Sequence, residues 1–284
     1  MKNSAILLVQ CSDRKGLDAT IAEFIYRYDG NILHFEQHQA GEERFYLARV
    51  EWDLAEFRLD LKDFAGAFGP IAEKFGMRWQ LAMGNHRPRV AIFVSKYDHC
   101  LVDLLYRQRS GELACEFPLM ISNHPDAKRH ADFYGVPYHV IPVTKENKPQ
   151  AEKQETELLS ANKIDLIVLA RYMQVLSGEF IAQYPQRIIN IHHSFLPAFV
   201  GGRPHHQAYE RGVKLIGATS HYVTEVLDDG PIIEQGVARI SHRDSLEDLV
   251  EKGRDLEKVV LSRAVRWHIE NRILLYSNKT IIFD

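Results

Sequence analysis

Two short, almost uninterrupted apolar runs constrain this chain more than any other feature: Val90-Ala91-Ile92-Phe93-Val94 and Ile164-Asp165-Leu166-Ile167-Val168-Leu169-Ala170. A strand that alternates apolar and polar residues keeps one face wet. A run that is apolar nearly throughout is buried on both faces, as in a parallel sheet covered by helices. Phe117 to Ser122 and Arg187-Ile188-Ile189-Asn190-Ile191-His192 are strands of the same kind, and Tyr138 to Pro142 is a shorter one. Cys100 to Arg107, Ala127 to Tyr134 and Lys148 to Asn162 lie between them with helical spacing. The alternation predicts a mostly parallel α/β sheet with its ligands at the strand C-terminal ends. After Lys214 come longer strands, Leu215 to Val223 and Ile232 to Ile240, and a final helix from Ser245 to about Asn271. Ser245 and Asp248 are spaced as a capping box at its start.

The first part of the chain has another rhythm. Ala5 to Val9 is an apolar strand that ends in Ser12-Asp13-Arg14-Lys15-Gly16, and Asp13 is read as a cap for the helix that follows. Leu17, Ile21, Phe24, Ile25 and Tyr28 recur at helical spacing, with Gly30 as the stop. Asn31 to Gln39 and Arg44 to Trp52 form a hairpin around Ala40-Gly41-Glu42-Glu43. A second helix over Leu61 to Lys74 and a strand over Met77 to Met83 complete the order βαββαβ, the split-βαβ arrangement. Gly84-Asn85-His86-Arg87-Pro88-Arg89 is polar and turn-forming. We therefore expect domains at 1–84 and 90–284 with a linker at 85–89, in keeping with 284 residues at roughly 150 per domain.

Composition narrows the partners. A net charge of -3 supplies no general attraction for a polyanion, so no nucleic-acid partner is expected. No apolar run approaches the roughly 18 residues of a membrane helix, and the start lacks the pattern of a signal peptide. Cys11, Cys100 and Cys115 are too scattered for a disulfide framework or a zinc site. A cytoplasmic protein with reduced thiols, no membrane partner and no metal is the expectation.

The loop after the first strand of the second domain, Ser95-Lys96-Tyr97-Asp98-His99-Cys100, contains no glycine. Dinucleotide and P-loop sites need glycine there, so both are excluded. Chemistry points instead to Asn190-Ile191-His192-His193-Ser194-Phe195-Leu196-Pro197 and to the segment from His221 to Ile232. Asn190 and His192, two apart on a strand, share a face, where an amide and an imidazole suit an oxyanion. Asp228 precedes Asp229-Gly230-Pro231, a turn that can deliver a carboxylate. Singly, each residue has a structural explanation.

Together they resemble the folate-dependent formyltransferase/hydrolase fold, whose members include glycinamide ribonucleotide and methionyl-tRNA formyltransferases. The family's Asn-x-His-x-Ser-x-Leu-Pro motif is met by Asn190, His192, Ser194, Leu196 and Pro197. Its His-x-Val-x-x-x-x-Asp-x-Gly-Pro-Ile motif is met by His221, Val223, Asp228, Gly230, Pro231 and Ile232. The resemblance runs from about Arg89 to the C-terminus and implies that Asn190, His192 and Asp228 are catalytic. It further implies that Met173, Gln174, Leu176, Tyr222 and Val223 hold the folate, with Lys96, His99 and His193 on the acceptor or water side. Relatives commonly carry Pro at the place of His193 and Arg at that of Gln174. The substrate implied is 10-formyltetrahydrofolate, with no permanently bound cofactor.

The acceptor separates the family's reactions. The glycine-free loop argues against a phosphorylated acceptor, and the predicted end of the chain leaves no RNA-contacting domain. Water remains, and hydrolysis to tetrahydrofolate and formate, within one-carbon metabolism and upstream of purine synthesis, is the expected activity. The alternatives are a formyltransferase, such as one using glycinamide ribonucleotide, and a non-catalytic regulator. The first domain resembles an ACT module, in which the loop of Asp13, Gly16 and Leu17 would meet an amino-acid effector such as glycine or methionine. Such modules pair across subunits, which implies a homo-oligomer.

Overall fold

The computed structural model of the chain describes residues 3–42, 44–198 and 204–283, so Glu43 of the expected hairpin turn lies outside them. The chain divides into two compact units, Met1–His86 with Glu270–Asp284, and Arg87–Ile269.

The first unit contains β1 (Ser4–Ser12), α1 (Leu17–Arg27), β2 (Asn31–Ala40), β3 (Phe45–Asp53), α2 (Phe64–Phe75) and β4 (Arg78–Met83). The strands form an antiparallel sheet in the order β2-β3-β1-β4, the split-βαβ topology expected. Leu17, Ile21, Phe24 and Ile25 of α1 and Phe64, Phe68 and Ala72 of α2 are buried against Leu7, Val9, Val50 and Trp52 of the sheet. One punctuation residue works differently from expectation. Asp29, not Gly30, takes the left-handed turn after α1 (φ 58). Gly30 is needed for space, because a Cβ there would come within 2.5 Å of Ile25 Cγ2.

The second unit contains β5 (Arg89–Val94), α3 (His99–Arg109), β6 (Glu116–Ser122), α4 (Lys128–Tyr134), β7 (Tyr138–Val140), α5 (Lys148–Ala161), β8 (Leu166–Leu169), α6 (Gly178–Gln183), β9 (Ile188–His192), α7 (Pro204–Glu210), β10 (Leu215–Tyr222), β11 (Ile232–Arg239) and α8 (Leu246–Ile269). The sheet order is β11-β10-β9-β8-β5-β6-β7, parallel from β7 to β9, with β10 and β11 antiparallel. The mostly parallel α/β sheet is as expected. Val90 to Val94 and Leu166 to Val168 are entirely buried, the physical reason for their unbroken apolar runs. The chain runs outward from β5 through β6 to β7, then returns to β8 on the other side of β5. That reversal opens a crevice at the C-terminal ends of β5 and β8. At the start of α8, Ser245 N donates to Asp248 Oδ2 (2.7 Å) and Asp248 N to Ser245 Oγ (3.2 Å), the reciprocal box expected.

Four elements lie outside the sequence reading: α6, α7 and the two strands of a closing hairpin, β12 (Ile273–Tyr276) and β13 (Lys279–Ile282). The expected second domain extends to 284, whereas Glu270–Asp284 groups with the first unit. There Phe283 packs on Ala40 and Leu47, and the buried Arg49 donates from Nε to the Asn271 carbonyl (3.0 Å). Four-residue strands are too short to show a period, so nothing local marked them.

Candidate active site

The site starts from two neighbouring strands. β9 and β10 pair antiparallel with Asn190 opposite His221 and Thr219 opposite His192. Side chains of directly paired residues meet, and Asn190 Nδ2 lies 3.2 Å from His221 Nε2. The His221 ring donates from Nδ1 to the Tyr222 carbonyl (2.9 Å), which leaves Nε2 to accept one of the two Asn190 amide hydrogens. The other amide hydrogen stays available.

Asp228 arrives from the connection between β10 and β11. Tyr222 N donates to the Pro231 carbonyl (2.9 Å), closing this loop so tightly that a Cβ on Gly230 would lie 1.7 Å from the Tyr222 oxygen. Only glycine fits there. Asp228 itself is left-handed (φ 57), a conformation that Asp tolerates better than most residues. Its Oδ2 is 3.2 Å from His192 Nδ1 and its Oδ1 is 3.7 Å from His221 Nε2. Hydrogen bonding from His192 outweighs burial and holds the Asp228 carboxyl far below the usual carboxylate range. His192 is 5% exposed, and its Nε2 is buried with no hydrogen-bond partner among the described residues. An imidazole anchored at Nδ1 by an ionised carboxylate presents Nε2 to a reactant.

These groups open on a cavity of about 280 Å³. Its walls include Tyr172 to Leu176, Ile181, Val223 and Leu227, with Arg171, Asn190, His192, His193, His221 and Asp228 among the polar groups. The loop after β8 is held in place by Ser95, whose Oγ accepts from Met173 N (3.0 Å) and donates to Asn123 Oδ1 (2.6 Å). Of the motif around β9, Asn190 and His192 reach the cavity. Ser194 and Leu196 instead bind Thr219 through their backbones and fix the turn beyond.

Asn190, His192 and Asp228 are therefore brought together, and Met173, Gln174, Leu176 and Val223 line the cavity. Tyr222 does not. Strand alternation turns it to the opposite face, where its hydroxyl meets His268 Nδ1 (2.8 Å). Of the expected acceptor-side residues His193 lines the cavity, whereas Lys96 is exposed on the loop after β5 and His99 Nε2 is engaged by Glu257 Oε2 (2.7 Å). Burial, then the Arg171 charge, pushes His193 down to about 3. The sequence reading missed His221 and Arg171 as site residues. His221 was legible from its place two residues before Val223 on one strand face.

No metal-binding cluster was expected, yet His99, Cys100 and Glu257 come within 4.8 Å of one another. Their chemistry is poor for a cation. Burial raises the Cys100 thiol well above its ordinary value, and Glu257 is shared between His99 and the Arg171 guanidinium (3.5 Å). In the first unit Asp13 is not the helix cap: its Oδ2 accepts from Gln39 Nε2 (2.8 Å), while Gly16, left-handed at φ 90, precedes α1. The Leu17 side chain is buried in the core, so it is not a surface for an effector.

The family model described as Formyl transferase matches residues 88–265. The chain is 55% identical over 280 residues to the formyltetrahydrofolate deformylase of Synechocystis sp., covering 99% of this chain and 98% of the relative. The crystal structure of a formyltetrahydrofolate deformylase from Pseudomonas syringae superposes with a TM-score of 0.97 at 44% identity, over 100% of this chain and 95% of that one. The glycinamide ribonucleotide transformylase 1 of Symbiobacterium toebii superposes at a TM-score of 0.67 and 30% identity, over 72% of this chain and 98% of its own.

Proposed function

The chain belongs to the formyl transferase family, among its formyltetrahydrofolate deformylases, and from that premise we propose how its residues carry out the hydrolysis of 10-formyltetrahydrofolate to tetrahydrofolate and formate. The pterin occupies the apolar cavity walled by Met173, Gln174, Leu176 and Val223. The formyl group on N10 meets Asn190 and His192. Water adds to the formyl carbon, giving a tetrahedral centre whose oxyanion accepts from the free Asn190 amide hydrogen and from protonated His192 Nε2. Asp228 balances the imidazolium and fixes its orientation. One water proton passes through Asp228 to N10 as the C–N bond breaks, and the other is released with formate.

The observation that carries this reading is the 3.2 Å contact of His192 Nδ1 with Asp228 Oδ2, which leaves an unpartnered Nε2 on a residue that lines the same cavity of about 280 Å³ as Asn190. Purified protein given 10-formyltetrahydrofolate without any acceptor should release formate and tetrahydrofolate in equal amounts. Formate release that required glycinamide ribonucleotide would instead mark a transferase.

The reading extends to the rest of the chain. The protein works in the cytoplasm as a homo-oligomer, and no helix among the described residues is long and apolar enough to cross a membrane. Its first unit, with the left-handed Gly16 at the start of α1, binds an amino acid such as glycine or methionine as an effector.

A further inference from the structure

Arg171 takes no part in that mechanism, although it lines the same cavity. It lies just beyond β8 with φ 63, a left-handed conformation in which a long side chain is strained and glycine is not. The strain is retained together with a costly burial. The side chain is 10% exposed, and its Nε and Nη1 have no hydrogen-bond partner among the described residues. What surrounds the guanidinium leaves these donors unsatisfied. Nη1 stands 3.5 Å from Glu257 Oε1, an ion pair without good hydrogen-bond geometry, and Cζ lies 5.3 Å from the Tyr97 ring centre. A second guanidinium, that of Arg254, covers the same ring at 5.8 Å, so this side of the site is cationic.

His193 connects Arg171 to the reaction centre. Its ring centre is 5.1 Å from that of His192, and it lines the cavity alongside Arg171. Held uncharged at neutral pH by burial and by the Arg171 charge, it offers one donor and one acceptor nitrogen. Asp228, ionised against His192 Nδ1, repels anions. The hydrolysis converts a neutral formyl group and water into a planar carboxylate of three heavy atoms, which a planar guanidinium matches with two parallel hydrogen bonds.

We propose that Arg171, with His193 beside it, forms a monocarboxylate subsite that takes up formate as it leaves the reacting carbon. The proposal rests on the deformylase reading, and its test separates the two. Titration of the folate-free protein with ¹³C-formate, at ionic strength held constant with chloride, reads binding without turnover. The wild-type chain should broaden the formate signal, and Arg171→Gly, whose backbone is relaxed at this φ, should weaken binding at least tenfold. Arg171→Lys, which keeps the charge and loses the fork, should fall between them. Circular-dichroism melting confirms that each variant is folded. In the turnover assay, added formate should inhibit the wild-type enzyme and inhibit Arg171→Gly less. Equal formate binding by wild type and Arg171→Gly, or displacement of formate by chloride alone, overturns the subsite while leaving hydrolysis intact. Should formate bind through Arg171 in a protein that releases none from 10-formyltetrahydrofolate, the subsite stands and the proposed activity fails.

Discussion

Asp228 shows how much one residue depends on where its backbone is held. Its left-handed conformation suits Asp and Asn and penalises a β-carbon without a polar group, so Asp228→Asn changes the charge and little else. We expect Asp228→Asn to lower kcat on the order of 10²–10⁴-fold while folate binding measured by equilibrium dialysis changes little. Unchanged turnover would remove the carboxylate from the mechanism. Asn190→Ala, which deletes one oxyanion donor, should cost about 10²–10³-fold. His193 makes a prediction about stability. Its imidazole is pushed down to about 3 in the folded chain, against about 6.5 when unfolded, chiefly by burial. A depressed histidine favours the neutral ring, so its contribution is present above about pH 6.5 and is lost as the pH falls toward 3. His193→Gln should therefore show a shallower decline of melting temperature between pH 6.5 and 4 than the wild-type chain. Parallel declines would show that the ring is protonated as readily in the folded state.

At the scale of elements, the folate wall is a loop tied down at several points. Ser95 at the end of β5 holds Met173 N, and α5 grips the rest. The Tyr172 hydroxyl donates to Glu155 Oε1 (2.8 Å), and Ser177 N, at the cap of α6, donates to Glu152 Oε1 (2.8 Å). Glu155 is 1% exposed, and burial raises its carboxyl to about 7. Tyr172→Phe would leave that buried carboxyl without its donor, a loss of about 1–3 kcal/mol in denaturant unfolding. It should raise KM for the folate several-fold with kcat nearly unchanged, since the reacting groups on β9 and β10 do not move. A fall in kcat alone would show that the loop acts on the chemistry instead. The polar α5 carried no sign of this task, because its glutamates read as a solvated face until the β8 loop is laid against them.

For the molecule as a whole, the proposed effector has a direct measure: glycine or methionine should change the deformylation rate or the melting temperature of the full chain, and no change in either would remove that role from the first unit. Local sequence determined the central strands of the second sheet, because burial on both faces demands continuous apolar runs, as Val90 to Val94 and Leu166 to Val168 show. It also determined the shared face of Asn190 and His192 and the reciprocal cap at Ser245 and Asp248, which depend on spacings of two and three residues. Only tertiary structure decided that Asp228 reaches His192, that His221 faces Asn190, that Tyr222 turns away and that Glu270–Asp284 joins the first unit. Those outcomes depend on strand register and on loop closure through Gly230. Periodicity within one segment cannot report them, because they are set by which distant backbone comes to lie alongside.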